Sequence, residues 1–326
     1  MMKLVTIFGG SGFVGRYVAR RMARAGWRVR VAVRNPNEAG FVRTYGTPGQ
    51  VEPVLCNLRD EASVAAVLSG AEAAVNCVGV LAETGRNTFD ALQRDGAERA
   101  ARLAAAAGCA RFVQISAIGA DPEAASDYAR TKGEGEAAVL RHFPGAVILR
   151  PSIVFGPEDE FFNRFANMTK FGPVLPVVGA GTRFQPVYVD DVARAAEMGV
   201  TGAASPGVYE LGGPETATFR DLMQRMLDVI RKRRMVVNVP FFGARIMAGA
   251  SGLAHRASFG LLPQPITGDQ VVNLRRDNVV GDGARTFADL GIEPTAMDTI
   301  LPDYLWRFRN SGQYAEIKES ARNLRS

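Results

Sequence analysis

A tyrosine and a lysine four residues apart, Tyr128 and Lys132, are the pair in this sequence best suited to acid–base chemistry. Residues at positions i and i+4 share one face of a helix, so the phenol and the ammonium can point into one site. A lysine charge stabilises a phenolate and brings the pKa of the tyrosine toward a useful range. Ser116, upstream of this pair, can donate a hydrogen bond to a substrate carbonyl. We predict Ser116, Tyr128 and Lys132 as the catalytic group, with Lys132 also able to hold a cofactor ribose.

A glycine-rich turn, GGSGFVG, stands between an apolar run and a helical pattern near the start of the chain. Glycines let a backbone approach a pyrophosphate closely, and the N-terminus of the following helix supplies a partial positive charge. The strand–turn–helix context is the one that a dinucleotide-binding fingerprint requires. The predicted cofactor contacts in this turn are Gly9, Gly12, Phe13, Val14, Gly15 and Arg16.

The second apolar run ends in VRVAVRNP, which puts Arg34 where an NAD-preferring site usually has an acidic residue. A guanidinium there can bind a 2′-phosphate bidentately, and Arg16 can supply a second contact. The sequence therefore favours NADPH over NADH as the cofactor. The alternative interpretation of Arg34 is a surface arginine at the end of a strand.

Two further polar or small positions follow later apolar runs. Asn57 and Leu58 follow the third run, where a polar side chain can meet an adenine. Val78 and Gly79 follow the fourth run, where the glycine allows close approach to the cofactor. We predict all four as cofactor-binding residues, together with Tyr128 and Lys132.

The elements that must position these residues alternate regularly in the first half of the chain. Short apolar runs and helical patterns at this spacing predict an α/β fold with a doubly wound, Rossmann-type parallel sheet. Leu4–Phe8 and Val51–Leu55 are predicted strands, and Phe89–Ala107 is a predicted long helix. The second half is less regular, with a short predicted strand at Val208–Leu211 and a predicted helix over Phe219–Arg231 that has Thr218 as its N-cap. It predicts a smaller C-terminal α+β lobe. We expect a dinucleotide-binding domain over residues 1–155 and the smaller lobe over 156–326, with the chain crossing between them.

Composition limits the class of protein. The chain of 326 residues is 47% hydrophobic and 22% charged, which is typical of globular proteins. Its net charge of +6 suits an acidic cofactor, an acidic protein or a membrane surface, and no nucleic-acid motif accompanies it. The cysteines, Cys56, Cys77 and Cys109, lack metal-binding spacing, so we expect small buried residues and no metal site. We expect no signal peptide and no transmembrane segment.

The motifs GGSGFVG, NCVG, YARTK and RPSIVFGP together resemble the short-chain dehydrogenase/reductase superfamily, in its extended or atypical branch. The resemblance implies catalytic roles for Ser116, Tyr128 and Lys132, and we add Pro151 and Ile153 from the last motif to the expected cofactor contacts. Two departures stand out. The segment between Ser116 and Tyr128 is short for an extended epimerase, and Asn57 stands where the superfamily often has Asp.

A narrower resemblance extends over nearly the whole chain. The segments GPEDEFFNRFA, KFGP, QPVYVDDVA, TGDQVVNLRRDNVV and FADLGIEPT are similar to those of the nucleotide-binding accessory subunits of respiratory complex I. This resemblance implies tightly bound NADPH, partners that are other complex I subunits, and a catalytic group that is vestigial. It also implies a peripheral position on the cytoplasmic face of a bacterial inner membrane, which corresponds to the matrix side in mitochondria.

Two late segments leave alternatives open. The apolar stretch Pro240–Pro265 carries scattered cations and suits either a partner or membrane surface or the core of the smaller lobe. The run Arg231–Arg234 suits either a solvated helix end or contact with acidic lipid headgroups. For the whole chain, three hypotheses remain: a non-catalytic subunit, a free NADPH-dependent reductase, epimerase or dehydratase, and a nucleotide-sensing regulator.

Overall fold

The computed structural model of the chain describes residues 2–257, 266–310 and 312. Three residues of the late apolar stretch lie outside these described residues: Phe259, Leu261 and Leu262. The strands are β1 Leu4–Phe8, β2 Arg28–Val33, β3 Val51–Leu55, β4 Ala73–Asn76, β5 Arg111–Ile115, β6 Val147–Pro151, β7 Val154–Phe155, β8 Val174–Val178, β9 Arg183–Phe184, β10 Val187–Tyr188, β11 Gly207–Leu211, β12 Ala217–Thr218 and β13 Met235–Val239.

The helices alternate with these strands along most of the chain. The α-helices are α1 Phe13–Arg24, α2 Glu61–Leu68, α3 Asp95–Ala106, α4 Asp127–His142, α5 Phe162–Met168, α6 Val189–Thr201, α7 Phe219–Val229, α8 Phe241–Ala257, α9 Gly268–Asn273 and α10 Met297–Leu305. Four shorter helical turns accompany them: 3₁₀ turns at Gly40–Tyr45, Ala288–Leu290 and Trp306–Phe308, and a π-helical turn at Asp90–Arg94.

The first of two compact units comprises Met1–Ser152, Val189–Gly212 and Val280–Pro294. Its sheet has seven strands in the order β11-β6-β5-β4-β1-β2-β3. Every neighbouring pair is parallel. The strand order reverses next to β1, which is the topological switch point of a doubly wound sheet. The predicted Rossmann-type fold class is therefore confirmed.

Helices cover both faces of this sheet because its strands are buried on both sides. On one face, Phe8 and Phe112 pack against α2, α3 and α4 in a core rich in small residues such as Ala100 and Ala104. On the other face, α1 packs against α6. Two arginines of α1 bind acidic residues of α6, and Arg21 contacts both Asp190 and Glu197. Small residues on α3 let that helix lie close to the sheet.

The second unit comprises Ile153–Tyr188, Gly213–Val279 and Thr295–Ser326. Among its described residues it has three two-stranded sheets, β7 with β10, β9 with β12 and β8 with β13. Its core contains Phe162, Leu175, Leu222 and Leu301, with Phe161 and Phe165 packed against it. The aromatic residues that follow Pro157 thus belong to the core of this unit. Thr218 caps α7 through a reciprocal pair of hydrogen bonds with Asp221, as its predicted N-cap role requires.

The elements differ from the predicted ones at three points. The long helix expected over Phe89–Ala107 begins as the π-helical turn Asp90–Arg94 before α3 continues it. The Gly-rich stretch after Pro240 forms helix α8 over Phe241–Ala257, for which we predicted no regular element. The strand at Gly207–Leu211 pairs with β6 in the sheet of the first unit. Across the part of the chain that the structure describes, no helix is long and apolar enough to cross a membrane.

Candidate functional site

The glycine turn after β1 folds tightly back on itself. Gly9 has a φ of +69°, a backbone conformation that favours glycine, and its carbonyl accepts from the Gly12 N–H at 3.0 Å. Any Cβ at Gly15 would overlap the carbonyl oxygen of Gly9 and lie 2.7 Å from the Gly10 Cα. Gly9 and Gly15 are therefore required for the turn itself, and the turn sets the start of α1 against β1.

The N-terminus of α1 follows this turn directly. Gly12 is the N-cap residue, no side chain caps the helix there, and the first turn of Phe13–Arg24 has no acidic residue. The backbone N–H groups of the first turn have no intrahelical acceptors, and the helix dipole is positive at this end. An anionic group such as a pyrophosphate suits these N–H groups. Phe13 and Val14, whose cofactor contacts stay predictions, belong to this first turn.

A cleft of about 490 Å³ opens beside the turn, at the end of β2. The exposed side chain of Arg34 lines it, and the contact of Arg34 with a 2′-phosphate stays a prediction. Arg16 lies near this region, with its guanidinium 4.9 Å from the ring centre of Phe41 and hydrogen-bonded to the Ser11 carbonyl at 3.1 Å. The other lining residues were not anticipated from the sequence; they are Ser11, Val33, Asn35, Glu38 and Phe41.

The ends of β3 and β4 carry the next predicted contacts. The Asn57 side-chain oxygen accepts from the Arg59 backbone N–H at 3.2 Å, so its orientation is fixed by the turn. Leu58 is buried against Gly96 at the start of α3, where a Cβ would approach its Cδ2 to 2.8 Å. At Gly79, a Cβ would lie 3.2 Å from the Lys132 Nζ. Gly79 therefore leaves room for the lysine head group at this edge of the sheet.

Lys132 is buried behind the carboxyl end of β5. Only 6% of it is exposed, and its Nζ donates to the Ile115 carbonyl at 3.3 Å. Burial lowers the pKa of Lys132 to about 8, with the charges of Glu136 and Cys77 acting in the opposite direction. Burial likewise raises the pKa of the Cys77 thiol to about 12, although the lysine charge opposes it. The lysine is thus poised near neutral pH, which suits proton transfer.

Ser116 directly follows β5 and is buried. Its Oγ has no hydrogen-bond partner among the residues that the structure describes. A buried hydroxyl without a partner is costly, and a bound ligand at the carboxyl edge can satisfy it. This orphaned hydroxyl is the observation in the site that most directly fits an absent ligand.

Tyr128 and Lys132 lie one turn apart on α4, as their spacing predicted. The half-buried Tyr128 ring meets Phe89 edge to face, with 5.9 Å between the ring centres. Phe89 immediately precedes the π-helical turn Asp90–Arg94, and π-helical turns are frequent at functional sites. This aromatic contact orients the tyrosine. It joins residues far apart in sequence, so no local pattern could have revealed it.

A buried ion pair holds the next turn of α4. Glu136 accepts three hydrogen bonds from Arg150 on β6, one from Nη2 at 2.6 Å and two from Nε at 3.0 and 3.1 Å. Arg150 also contacts Glu210 on β11 at 3.4 Å. A bidentate arginine–carboxylate pair is geometrically demanding, so it fixes the rotation of α4 against the sheet. That rotation in turn directs Tyr128 and Lys132 toward the carboxyl edge.

Parallel pairing brings the glycine turn, Arg34, Asn57, Gly79 and Ser116 to one edge of the first unit, because each follows the carboxyl end of a strand, whereas Lys132 reaches that edge from α4. Pro151 ends β6, and its carbonyl accepts from the Ile118 N–H at 3.0 Å next to Ser116. Ile153 belongs to the second unit. The glycine cradle, the uncapped helix terminus and the unpartnered Ser116 hydroxyl fit a dinucleotide. The cofactor contacts of individual side chains stay predictions.

Comparison with known proteins identifies a family and its relatives. The sequence pattern of the NAD dependent epimerase/dehydratase family matches residues 5–212. The mitochondrial NADH dehydrogenase (ubiquinone) 1 alpha subcomplex subunit 9 of Arabidopsis thaliana is 35% identical over 316 residues, covering 95% of this chain and 79% of that protein. The ceramide reductase of Caulobacter vibrioides is 35% identical over 251 residues, covering 76% of each chain.

Solved structures agree with this fold. An NADPH-dependent quinone oxidoreductase of Escherichia coli, complexed with NADPH, superposes with a TM-score of 0.68. The match covers 92% of this chain and 98% of that one at 20% sequence identity. At this identity the likeness concerns the fold alone.

Proposed function

The chain belongs to the NAD dependent epimerase/dehydratase family, and we propose that it is an accessory subunit of respiratory complex I that binds NADPH as a structural group. The observation that carries this proposal is the identity of 35% to the alpha subcomplex subunit 9 of Arabidopsis thaliana over almost the whole chain. The match extends through the second unit. Its partners are the other subunits of complex I.

NADPH, and not NADH, is the cofactor that the cleft beside Arg34 suits. The family binds a nicotinamide dinucleotide, and an arginine at the end of β2 pairs with the 2′-phosphate that distinguishes NADPH. Glu38 also lines this cleft and argues for the 2′-hydroxyl of NADH instead. Its Oε1, however, accepts a hydrogen bond from the Asn35 amide at 2.7 Å, which directs the carboxylate toward its own turn.

Bound NADPH would add stability to the folded, assembled subunit through mass action, because the unfolded chain has no site for it. The N–H groups at the start of α1 hold the pyrophosphate, and Lys132 and Tyr128 hold the nicotinamide ribose. The cofactor can supply a hydride when it is bound. Ser116 can donate to a carbonyl and Lys132 can keep the Tyr128 phenol acidic, so the residues for turnover remain in the chain.

The protein would lie on the cytoplasmic face of a bacterial inner membrane, beside the membrane-embedded subunits of the complex. Its positive net charge suits an acidic membrane surface or acidic partner subunits. In mitochondria the corresponding face is the matrix side.

A second candidate function is a free NADPH-dependent reductase or epimerase that acts on a carbonyl or sugar-nucleotide substrate. Two observations favour it: the identity of 35% to the ceramide reductase of Caulobacter vibrioides, and the retained set of Ser116, Tyr128 and Lys132. This candidate predicts substrate-dependent loss of NADPH absorbance when the purified chain is mixed with such substrates.

Native electrophoresis separates the two candidates. Membranes of the cell that encodes the chain are solubilised in mild detergent, resolved on a native gel, and probed for this protein and for NADH dehydrogenase activity. The proposed subunit co-migrates with that activity. A chain recovered entirely from the soluble fraction, or in a membrane band without the activity, would refute the complex I assignment.

A further inference from the structure

The basic charge of the chain is concentrated in one segment. Between Asp228 and Asp269 the sequence has no acidic residue and six lysines or arginines. The remaining 33 lysines and arginines equal the 33 acidic residues in number, so this segment accounts for the whole net charge of +6. Those six cations are Arg231, Lys232, Arg233, Arg234, Arg245 and Arg256.

A second acid-free segment pairs with the first. No aspartate or glutamate lies between Glu160 and Asp190, and strand β8 comes from this stretch. In the second unit β8 pairs in parallel with β13, which comes from the basic segment. The two strands thus bring together two stretches of chain that carry cations but no carboxylate.

The outer side of this two-stranded sheet is apolar and exposed. Register puts Val174 beside Met235 and Pro176 beside Val237, and all four are exposed. The alternate residues of β8, such as Leu175, are buried in the core of the unit. Met235 is 68% exposed, so this side of the sheet faces solvent and is not part of the core. An aligned apolar strip differs from the singly scattered apolar residues of ordinary surfaces.

Apolar exposure continues on both sides of the sheet in sequence. Phe171, just before β8, is 89% exposed, and only Pro240 separates β13 from helix α8. On α8, Phe242 and Ile246 are one turn apart and are 70% and 68% exposed. We use "basic apolar face" for these side chains together: Phe171, Val174, Met235, Val237, Phe242 and Ile246.

Two of the neighbouring cations form hydrogen bonds that hold the fold together, and two others are exposed on the surface. Arg234 donates to the Thr169 carbonyl at 3.0 Å, and Lys232 donates to the Thr169 hydroxyl at 3.2 Å. Both therefore hold β13 to the segment before β8. Arg233 is exposed just before β13, and Arg245 is exposed near the start of α8.

We propose that the basic apolar face docks on the surface of a bilayer that contains anionic phospholipids. Exposed aromatic and aliphatic side chains insert at the boundary of headgroups and acyl chains, and the cations beside them attract anionic headgroups. A protein surface with mixed charges would leave several of these cations unpaired, whereas an anionic bilayer matches a surface of one sign. This proposal rests on the membrane-peripheral position proposed above and names the surface that meets the membrane.

Vesicle co-sedimentation with the purified full-length chain tests the proposal. Vesicles of phosphatidylcholine alone are compared with vesicles that also contain phosphatidylglycerol, at low and at high NaCl concentration. The chain should sediment with the phosphatidylglycerol vesicles only, and high salt should weaken that binding because it screens surface charges. Equal binding to both kinds of vesicle, or binding to neither, overturns the proposal.

Matched variants assign the binding to this face. Arg233→Gln with Arg245→Gln should weaken the partition coefficient by roughly 30-fold, since each cation near an anionic surface contributes about fivefold. Phe171→Ser with Phe242→Ser should weaken it by at least about tenfold. The control Arg24→Gln with Arg194→Gln removes two exposed cations of the first unit and should leave binding unchanged. An equal loss in the control pair would overturn the assignment.

The two proposals fail in different ways. All these substitutions are at exposed positions, and circular dichroism with thermal unfolding verifies that each variant folds. If the chain co-migrates with complex I but does not sediment with phosphatidylglycerol vesicles, the basic apolar face contacts a protein subunit and the lipid proposal is wrong. If it binds those vesicles but never co-migrates with complex I, the subunit assignment is wrong and the lipid surface stands.

Discussion

At the scale of single residues, Lys132 is the group whose surroundings change its chemistry most. Its ammonium is buried against the Ile115 carbonyl at the sheet edge, with Gly79 leaving room for it. Burial of a cation without a close carboxylate disfavours the charged form. The same lowered pKa suits a proton relay and suits a ribose contact, so it does not by itself distinguish an enzyme from a cofactor-holding subunit.

The pH dependence of stability tests the burial of Lys132. Its pKa is lowered from 10.5 to about 8, so between these values the unfolded chain binds a proton that the folded chain has released. Lys132 should therefore add roughly 1 kcal/mol to the free energy of unfolding of the nucleotide-free protein between pH 8 and pH 9, measured as the change in the stability difference between this protein and Lys132→Met. Denaturant unfolding at a series of pH values measures this change.

The cysteine thiols act against the Lys132 contribution to stability as the pH rises. Burial raises the pKa of Cys77 to about 12 and that of Cys109 to about 11, from 9.0 in each case. From about pH 8 upward the unfolded chain loses these protons first, so the thiols lower the stability as the pH rises and offset part of the Lys132 contribution. Lys132→Met should lack that contribution, so the stability of this variant should fall with pH over the same range. A stability difference between the two proteins that does not change with pH would contradict the burial argument.

Arg34 decides which dinucleotide the chain prefers. Arg34→Ala should weaken NADPH binding by about 10- to 100-fold, the value of a charge-assisted hydrogen-bonded pair, and should leave NADH binding nearly unchanged. Calorimetric titration of the nucleotide-free protein with each dinucleotide measures both affinities. Arg24→Ala, at another exposed position, is the control. Equal loss of NADH and NADPH affinity in Arg34→Ala would show that the arginine does not read the 2′-phosphate.

Sequence reasoning located these residues where a local pattern carried the information. Arg34 and Ser116 each follow a strand, and Lys132 shares a helix face with Tyr128. Sequence spacing was therefore enough to predict that these residues lie at one edge of the sheet. Phe41 and Phe89 were not found, because they reach the site through tertiary contacts with Arg16 and Tyr128. Aromatic side chains at such distances in sequence have no periodic signature.

At the scale of elements, the glycine turn and α1 depend on each other. Gly15→Ala would push a methyl group into the backbone of Gly9 and Gly10, which cannot yield without moving the turn. We expect about 1–3 kcal/mol loss of stability and a nucleotide affinity at least about tenfold lower. Chemical denaturation and nucleotide titration measure these effects.

A glycine in an open position provides the control for that substitution. At the exposed Gly145, a Cβ would meet nothing closer than the Phe143 Cε1 at 3.9 Å. Gly145→Ala should leave both stability and nucleotide affinity close to those of the unmodified protein. If Gly15→Ala behaves like Gly145→Ala, the turn is more adaptable than its contacts indicate.

Elements with strong hydrophobic periodicity were predictable and irregular ones were not. The strands Leu4–Phe8 and Val51–Leu55 agree with their predicted bounds, since short apolar runs end at turn residues. The π-helical turn at Asp90–Arg94 was not predicted, because one extra residue per turn leaves the helical pattern almost unchanged. Helix α8 was missed because its glycines argue against a helix, and tertiary context outweighed them.

At the scale of the whole molecule, the sequence match and the retained site residues point to different functions. The chain matches complex I subunits through both units, yet Ser116, Tyr128 and Lys132 are all present. A structural cofactor accounts for both facts, because the residues that hold the nicotinamide ribose are also the residues of the catalytic set. Selection for tight binding alone would then preserve Tyr128 and Lys132.

The most direct test of this account is the NADH:quinone oxidoreductase activity of membranes that carry Tyr128→Phe in place of the natural chain. The phenylalanine keeps the ring contact with Phe89 and removes the phenolic proton. For a non-catalytic subunit we expect complex I of normal size on a native gel and activity equal to that of unmodified membranes. A complex that assembles with this variant and its NADPH bound, but has lost its activity, would contradict the account.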